Sequence, residues 1–450
     1  MESLFTPIIA RGLTTLKVQH DWKTDKVAML AAKEWDPNMD FSQYNKTFIT
    51  DTILTDDAVY LNTKQVWALY EEFGLKDYLQ KVIDLMAEGK HFGIECYYYD
   101  KYDIHFISNQ HSRKLGVHNK RRVLCDGGIR RHLPDEPEIE VLIDGLNLGR
   151  AMSFKNVAAG VQYGGAKSVV QMGEIDSSNM EQVGFFAYCT DKAKVMGVPD
   201  MRFPKEITKI VNDEKYSNAW VAGPGTKLGA SGIPTAVGIY HAIKVATDYK
   251  LGSESLDGVS IAVQGLGQVG AKVVECLLQE NPKLYIADVD TELLEKTKAD
   301  YPDKDITIVP PEDIMFLECD VFCPCAMGGI IGDEEIPKLK CKIILGSANN
   351  QLKASSQEEE IRIAKLLKDA GILFQVDWWL NFGGVPIGID EYELGDDADY
   401  DRMEQGVIDR VRKIAMKKYR EADEKGITPT EAAYRECEEI IYGDKEKLEY

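Results

Sequence analysis

The chain has 450 residues, 44% of them hydrophobic and 28% charged, with a formal net charge of −21. That length exceeds one ordinary core, so two domains with an appended segment are expected. The acidic balance excludes nucleic acid and anionic membrane as partners, because both need a basic face. No apolar run approaches the roughly 20 residues that span a bilayer. The opening stretch MESLFTPIIARGL carries an acid at position 2 and does not read as a secretory signal. Nine scattered cysteines, odd in number, read as the reduced thiols of a cytoplasmic protein. Cys323 and Cys325 lack a second Cys or His pair, so no metal site is expected there.

In chain order, residues 1–85 read as a mainly helical N-terminal extension, with helical pieces at 63–73 and 75–87. From Ile94 the character changes. Residues 96–107 (CYYYDKYDIHFI) and 121–125 (RRVLC) are rich in Tyr, Ile and Val and predict strands. A glycine-marked strand end follows at Asp126-Gly127-Gly128, and then a helix over 139–154. The small-residue stretch AAGVQYGGAK, 158–167, suits a tight strand crossing beside a ligand. Another helix spans 180–196. A segment at 221–232 with four glycines and one proline leads into a long helix, 233–248.

Residues 259–290 hold the most informative stretch. An apolar β-branched run, 259–264, reads as a buried parallel strand. It is followed by Gly265, Gly267 and Gly270 as Gly-x-Gly-x-x-Gly, a helix at 268–278, and a second strand at 284–287 that ends on Asp288. In such a unit the glycines make the tight turn, admit a pyrophosphate to the backbone and let helix and strand pack closely. The helix N-terminus supplies N–H groups, and an acid about 20 residues on accepts hydrogen bonds from the ribose. Asp288 and Asp290 would repel a 2′-phosphate and no Arg follows, which favours NAD over NADP. Short apolar runs at 305–309, 321–324, 342–345 and 373–376, separated by helices and turns, imply a mostly parallel, doubly wound sheet. Beyond Asp390 the chain turns acidic, and amphipathic helices are predicted at 403–421 and 430–441.

Two lysines stand in small, apolar surroundings: Lys155 in MSFKNVAAG and Lys167 in YGGAKSVV. A lysine in a desolvated cleft loses basicity and can act as an acid or base near neutrality; one that stays charged can clamp a carboxylate. Lysines snorkelling from strand edges would give the same spacing.

The ordered series GGIR at 127–130, MSFKNVAAG at 152–160, GGAK at 164–167, SGIPTAVG at 231–238, VQGLGQVG at 263–270, PCAMGGII at 324–331, GSANNQL at 346–352 and NFGGV at 381–385 resembles the glutamate/leucine/phenylalanine/valine dehydrogenase family, its leucine-type branch most. The resemblance covers about three quarters of the chain, from Tyr97 to Tyr442. It implies an α/β fold of two domains: a mixed-sheet catalytic domain at 86–230 and a doubly wound Rossmann NAD-binding domain at 231–390. Helices at 391–450 would pack back toward the catalytic domain. It implies reversible oxidative deamination of an L-amino acid to a 2-oxo acid and ammonia, in a homo-oligomer. Lys155, with the backbone of Gly128, would bind the substrate carboxylate. Lys167 would polarise water or the developing carbonyl, and Asp200 in GVPDMRF would shuttle protons. Thr235, Asn350 and Asn381 would hold nicotinamide and amine, with Gln268 and Val269 at the phosphate turn and Cys325 and Ala326 by the cofactor ribose.

Three departures stand out. Met201-Arg202-Phe203-Pro204 replaces the family's Val-Gly-Thr after the catalytic aspartate. Phe382 replaces a small residue. At the positions that would read the substrate side chain beside Val385, the chain has Asp126 and Gly388. An acid in a pocket opened by glycine suggests a polar, basic or diamino side chain. An Asp126 turned toward Arg130 or Arg131 would leave a pocket for neutral amino acids. A family member acting on another amine or a β-amino compound, and a cofactor-binding protein without turnover, are the competing readings.

Overall fold

The computed structural model describes residues 2–118 and 122–443. Its first part comprises α1 (Phe5–Ala10), β1 (Thr15–Asp21), β2 (Lys26–Lys33), β3 (Val59–Asn62), α2 (Thr63–Glu72), α3 (Lys76–Glu88), β4 (Gly93–Tyr99), β5 (Ile104–Gln110), β6 (Cys125–Asp126), β7 (Ile129–His132), α4 (Glu138–Ala159), β8 (Gly164–Gln171), α5 (Met180–Ala193) and α6 (Ile207–Asp213). Eight strands form one mixed sheet in the order β3-β2-β1-β4-β5-β8-β6, with β7 also paired to β8. The pairs are antiparallel except those of β6 and β7 with β8.

Side chains of β4 alternate across this sheet as the pleat requires. Ile94, Cys96 and Tyr98 join a core under α2, α3 and α4, whereas Tyr97 and Tyr99 join an aromatic core with Phe41, Phe185 and Tyr188.

Three expectations differ from the structure. The N-terminal region is not a mainly helical extension: β1 pairs directly with β4, and β2 and β3 carry the sheet outward. Leu16 and Val18 alternate with Lys17 and Gln19 in β1, a strand pattern that the Ala-rich β2 obscures. The run at 96–107 is a hairpin of two strands, because Asp103 adopts a left-handed φ of +48° and turns the chain. The strand expected at 121–125 shrinks to β6, and its Arg121 lies outside the described residues.

The second part comprises α7 (Gly232–Leu251), β9 (Ser260–Gln264), α8 (Gly270–Leu277), β10 (Lys283–Ala287), α9 (Thr291–Asp300), β11 (Ile306–Ile308), β12 (Val321–Pro324), β13 (Ile343–Ile344), α10 (Gln357–Asp369), β14 (Leu373–Phe374), α11 (Val385–Leu394), α12 (Tyr400–Lys425) and α13 (Pro429–Tyr442). Its six strands are parallel, in the order β11-β10-β9-β12-β13-β14. Numbered from β9, this is the 3-2-1-4-5-6 order of a dinucleotide-binding sheet. Its strand order reverses between β9 and β12, where such sheets bind ligands.

The two parts are stitched by the C-terminal helices. Arg410 of α12 donates from Nε to Ala158 O at 2.6 Å and from Nη2 to Val157 O at 3.0 Å, satisfying carbonyls at the end of α4.

Leu16 is fully buried in the core beneath α2 and α3. Leu16→Ala is expected to destabilise the protein by about 2–5 kcal/mol, read from the midpoint of denaturant unfolding. A loss below about 0.5 kcal/mol would show that β1 is dispensable trim.

Candidate active site

A cleft of about 240 Å³ opens between the two sheets, lined by Asp126, Gly128, Lys155, Lys167, Asp200, Thr235, Asn381, Val385 and Gly388 among others. Each wall has a local cause. β6 runs parallel to the start of β8, with Asp126 beside Gly165, which brings Asp126 to the cleft. Gly127 tolerates no side chain, because a Cβ there would lie 1.8 Å from Ala166 O. At Gly128 a Cβ would stand 2.9 Å from Lys167 Nζ and 3.2 Å from the Asp200 Cβ, so glycine keeps that backbone open to both groups. Asp200 is set by its N–H, which donates to Ile129 O at 2.9 Å. The loop that replaces the family pattern turns at Arg202 (φ +57°), whose guanidinium reaches Glu136 at 3.0 Å.

The electrostatic centre is Asp200. Its Oδ2 accepts from Lys167 Nζ and, at 2.9 Å, from Arg130 Nε. Burial works against its charge, but Lys167 and Arg130 together hold the carboxyl well below the usual range. Arg130 is held in turn by Asp144 at 3.1 Å. Burial depresses the Lys167 amine, and Asp200 opposes that shift. Asp144 carries no signal in the sequence, and Arg130, in the GGIR match, reads there only as a possible partner of Asp126.

Lys155 is carried by α4, not by a strand edge, and meets the cleft from the opposite side. Its Nζ donates to Asn349 Oδ1 at 3.0 Å, an atom that also accepts from Asn381 Nδ2 at 3.0 Å. Burial lowers the Lys155 amine, with the buried Asp377 pulling the other way. The amide that meets Lys155 and Asn381 is that of Asn349. Asn350 adopts a left-handed φ of +52° and borders a separate cavity with Arg150 and Tyr434, while its backbone N–H supports the Asp377 carboxylate.

Asp126 faces neither arginine: Arg130 holds Asp200 and Asp144, and Arg131 donates to Gly173 O at 2.7 Å. With 5% of its surface exposed, its carboxyl is pushed up to about 6 by burial, against pulls from the Gly127 amide and from Lys167 and Lys155. Val385 and Gly388, on the first turns of α11, complete this end of the cleft. Phe382 is buried and borders it, and Gly383 lets its turn pack on α7, since a Cβ there would meet Pro234 O at 2.3 Å. Thr235, near the start of α7, donates to Ser231 O at 2.9 Å.

The nucleotide-side residues suit a dinucleotide. Gly265 has φ +94° and would collide with Ala326 at 2.7 Å if it carried a Cβ, at the strand-order reversal. Gly270 lies against Gly265 O, 1.9 Å from a notional Cβ. At Gly267 a Cβ would meet nothing within 4 Å, leaving that backbone face open. Gln268 and Val269 lead into α8, whose first turn has no side-chain cap to occupy its N–H groups. Asp288 accepts from Leu266 N at 2.6 Å and Asp290 N at 3.0 Å, which orients its carboxylate beside the turn. Cys325 donates its N–H to Gln264 O at 2.7 Å, and its sulfur lies 3.6 Å from Cys323.

A sequence profile described as glutamate/leucine/phenylalanine/valine dehydrogenase matches residues 286–441, and one described as the dimerisation domain of the same dehydrogenases matches 115–201. A leucine dehydrogenase of Thermoactinomyces intermedius is 32% identical over 76% of this chain and 92% of its own. The chain belongs to the glutamate/leucine/phenylalanine/valine dehydrogenase family. A phenylalanine dehydrogenase of Lysinibacillus sphaericus is 34% identical over 74% of this chain and 85% of its own. The crystal structure of an L-tryptophan dehydrogenase from Nostoc punctiforme superposes with a TM-score of 0.66 at 27% identity, covering 80% of this chain and 98% of that one. This member of the family therefore has an amino acid dehydrogenase fold and is an oxidoreductase by descent. Among the described residues no helix is long and apolar enough to cross a membrane.

The raised carboxyl of Asp126 has a stability consequence. Folded protein holds this proton up to about pH 6, whereas an unfolded Asp releases it near 3.8. The contribution is thus fully present below the unfolded value and is lost as pH rises through about 6. Asp126→Asn removes the buried charge, so at pH 8 it should gain stability on the order of 3 kcal/mol over wild type, from the shift of 3.8 to about 6. The gain should vanish near pH 4. Chemical denaturation at both pH values checks this; a pH-independent difference refutes it.

Proposed function

We propose that this enzyme catalyses NAD-dependent, reversible oxidative deamination of an L-amino acid to a 2-oxo acid and ammonia. The observation that supports it best is the convergence of Lys155, Lys167 and Asp200 on one cleft beside the glycine turn. Lys155 and the open backbone at Gly128 take the substrate carboxylate. Asn381, whose buried side-chain oxygen has no hydrogen-bond partner among the described residues, and Asn349 orient the amine. Thr235 and Asn381 border the space for nicotinamide, and Gly267, the α8 N-terminus and Asp288 hold the rest of the dinucleotide. When bound, nicotinamide supplies the acceptor for the hydride that leaves the substrate Cα. Asp200, kept ionised by Lys167 and Arg130, accepts a proton from the substrate ammonium. Lys167, its basicity lowered by burial, activates the water that adds to the resulting imine. Asp200 then returns a proton as ammonia leaves. Asp288, beside Asp290, favours NAD over NADP. Assembly as a homo-oligomer through the region of residues 115–201 fits the description of the matching dimerisation profile.

For the side chain, Asp126 favours a basic or diamino acid: it is a carboxyl in the cleft wall that neither Arg130 nor Arg131 reaches, beside a space left by Gly388. A second reading, a neutral aliphatic or aromatic substrate, is favoured by the relatives named for leucine, phenylalanine and tryptophan. The two differ in pH behaviour. A cationic side chain needs ionised Asp126, so its kcat/KM rises as pH passes about 6, and the leucine rate shows no such step.

A panel of ornithine, lysine and leucine with NAD, followed by NADH absorbance across pH, decides between them. Leucine ahead of the basic amino acids at every pH would overturn the first reading. Asp126→Leu should move preference toward aliphatic substrates by about tenfold or more. Lys167→Met should lower kcat/KM by roughly 10²–10⁴-fold while NADH still binds. A fully active Lys167→Met enzyme would refute the mechanism.

A further inference from the structure

Glu391 lies on α11 one turn beyond Gly388, outside the reacting group, and only 9% of it is exposed. Its carboxylate accepts three backbone N–H groups of the loop that joins the two sheets: Ala222 N at 2.7 Å on one oxygen, Leu228 N at 2.6 Å and Gly229 N at 3.3 Å on the other. Three amide donors directed at one anion compensate its burial. Ala222 is held at φ +57°, a left-handed conformation that a residue with a Cβ adopts at a cost. The same Ala222 borders the substrate cleft, and its neighbour Val221 places Cγ2 3.1 Å from where a Cβ on Gly388 would stand. One helix therefore forms one wall of the side-chain end of the cleft with Val385 and Gly388, and grips the facing wall with Glu391.

We infer that Glu391 is a positioning residue, which locks the interdomain loop and keeps Ala222 left-handed, so that the side-chain subsite has a fixed width. The inference rests on the amino acid reading above for its kinetic form. Lys167 and Asp200 lie outside the clamp, so its loss loosens substrate binding and leaves the chemical step intact.

The test uses the full-length enzyme with Glu391→Gln, which turns an amide NH2 toward one of the backbone donors. The double variant Glu391→Gln/Ala222→Gly removes the conformational cost that the clamp opposes. In Glu391→Gln, KM for the preferred amino acid should rise about tenfold or more, with kcat within about twofold. NADH affinity should be unchanged, and amide exchange across residues 222–229 should accelerate. Adding Ala222→Gly should recover a large part of the KM. An unchanged KM despite faster exchange, or a fall in kcat as large as the rise in KM that Ala222→Gly does not relieve, would overturn the assignment. If the glutamine variant fails to fold, Glu391→Asp, which draws the carboxylate back by one methylene, gives the same readouts. If wild type turns over no amino acid, the proposed function fails, while slow exchange at 222–229 in wild type and its acceleration in Glu391→Gln still judge the clamp.

Discussion

The cleft depends on keeping three charges together with little water. Asp200 is partly buried between Lys167 and Arg130, and neither lysine nor carboxylate would be tolerated there alone. Removing a charge from water costs several kcal/mol unless its partners are close and well directed. The surrounding structure supplies that direction. β8 carries Lys167, β7 carries Arg130, and the N–H of Asp200 is tied to β7. Arg130 is itself braced by Asp144 on α4. A displaced strand would leave a buried ion uncompensated, which ties the integrity of the sheet to the electrostatics of the site.

The second requirement is that two sheets meet at a shared seam. α4 is the common element. Its N-terminal end is pinned where Glu138 accepts from Leu4 N at 2.7 Å and Tyr78 Oη at 3.0 Å, and its C-terminal carbonyls are bonded by Arg410. Between those anchors it presents Lys155 to the cleft. α11 and the turn at Phe382 close the seam from the nucleotide side, packed on α7 through Gly383. The cleft therefore draws walls from both halves of the chain, although neither half holds the full set of groups.

Much of this was legible in the sequence, for physical reasons that differ by region. The nucleotide unit is local: strand, glycine turn, helix and acid occupy about 30 consecutive residues, each with its own steric signature. The parallel strands are buried on both faces and so read as unbroken apolar runs. Lys155 and Lys167 stood out because lysine is rare in such apolar settings. What failed was non-local. β1 is stabilised by pairing with β4 across some seventy intervening residues, and Ala-rich β2, which pairs with β1, has no intrinsic strand preference to announce it. That Asn349 rather than Asn350 meets Lys155 accompanies a left-handed turn at Asn350, invisible in the letters. Arg130 was read as a neighbour of Asp126, yet its direction is set by Asp144 and Asp200, which arrive from other elements.

The hydrogen bond from Lys155 to Asn349 bears on how product departs. In the proposed reaction the lysine exchanges a neutral amide oxygen for a substrate carboxylate and returns to the amide when the carboxylate leaves. Departure is then a swap of acceptors rather than a rupture that strands a bare ammonium in a dry crevice. A swap of this kind flattens the energetic difference between loaded and empty cleft, so the enzyme can grip a carboxylate firmly without becoming trapped by it.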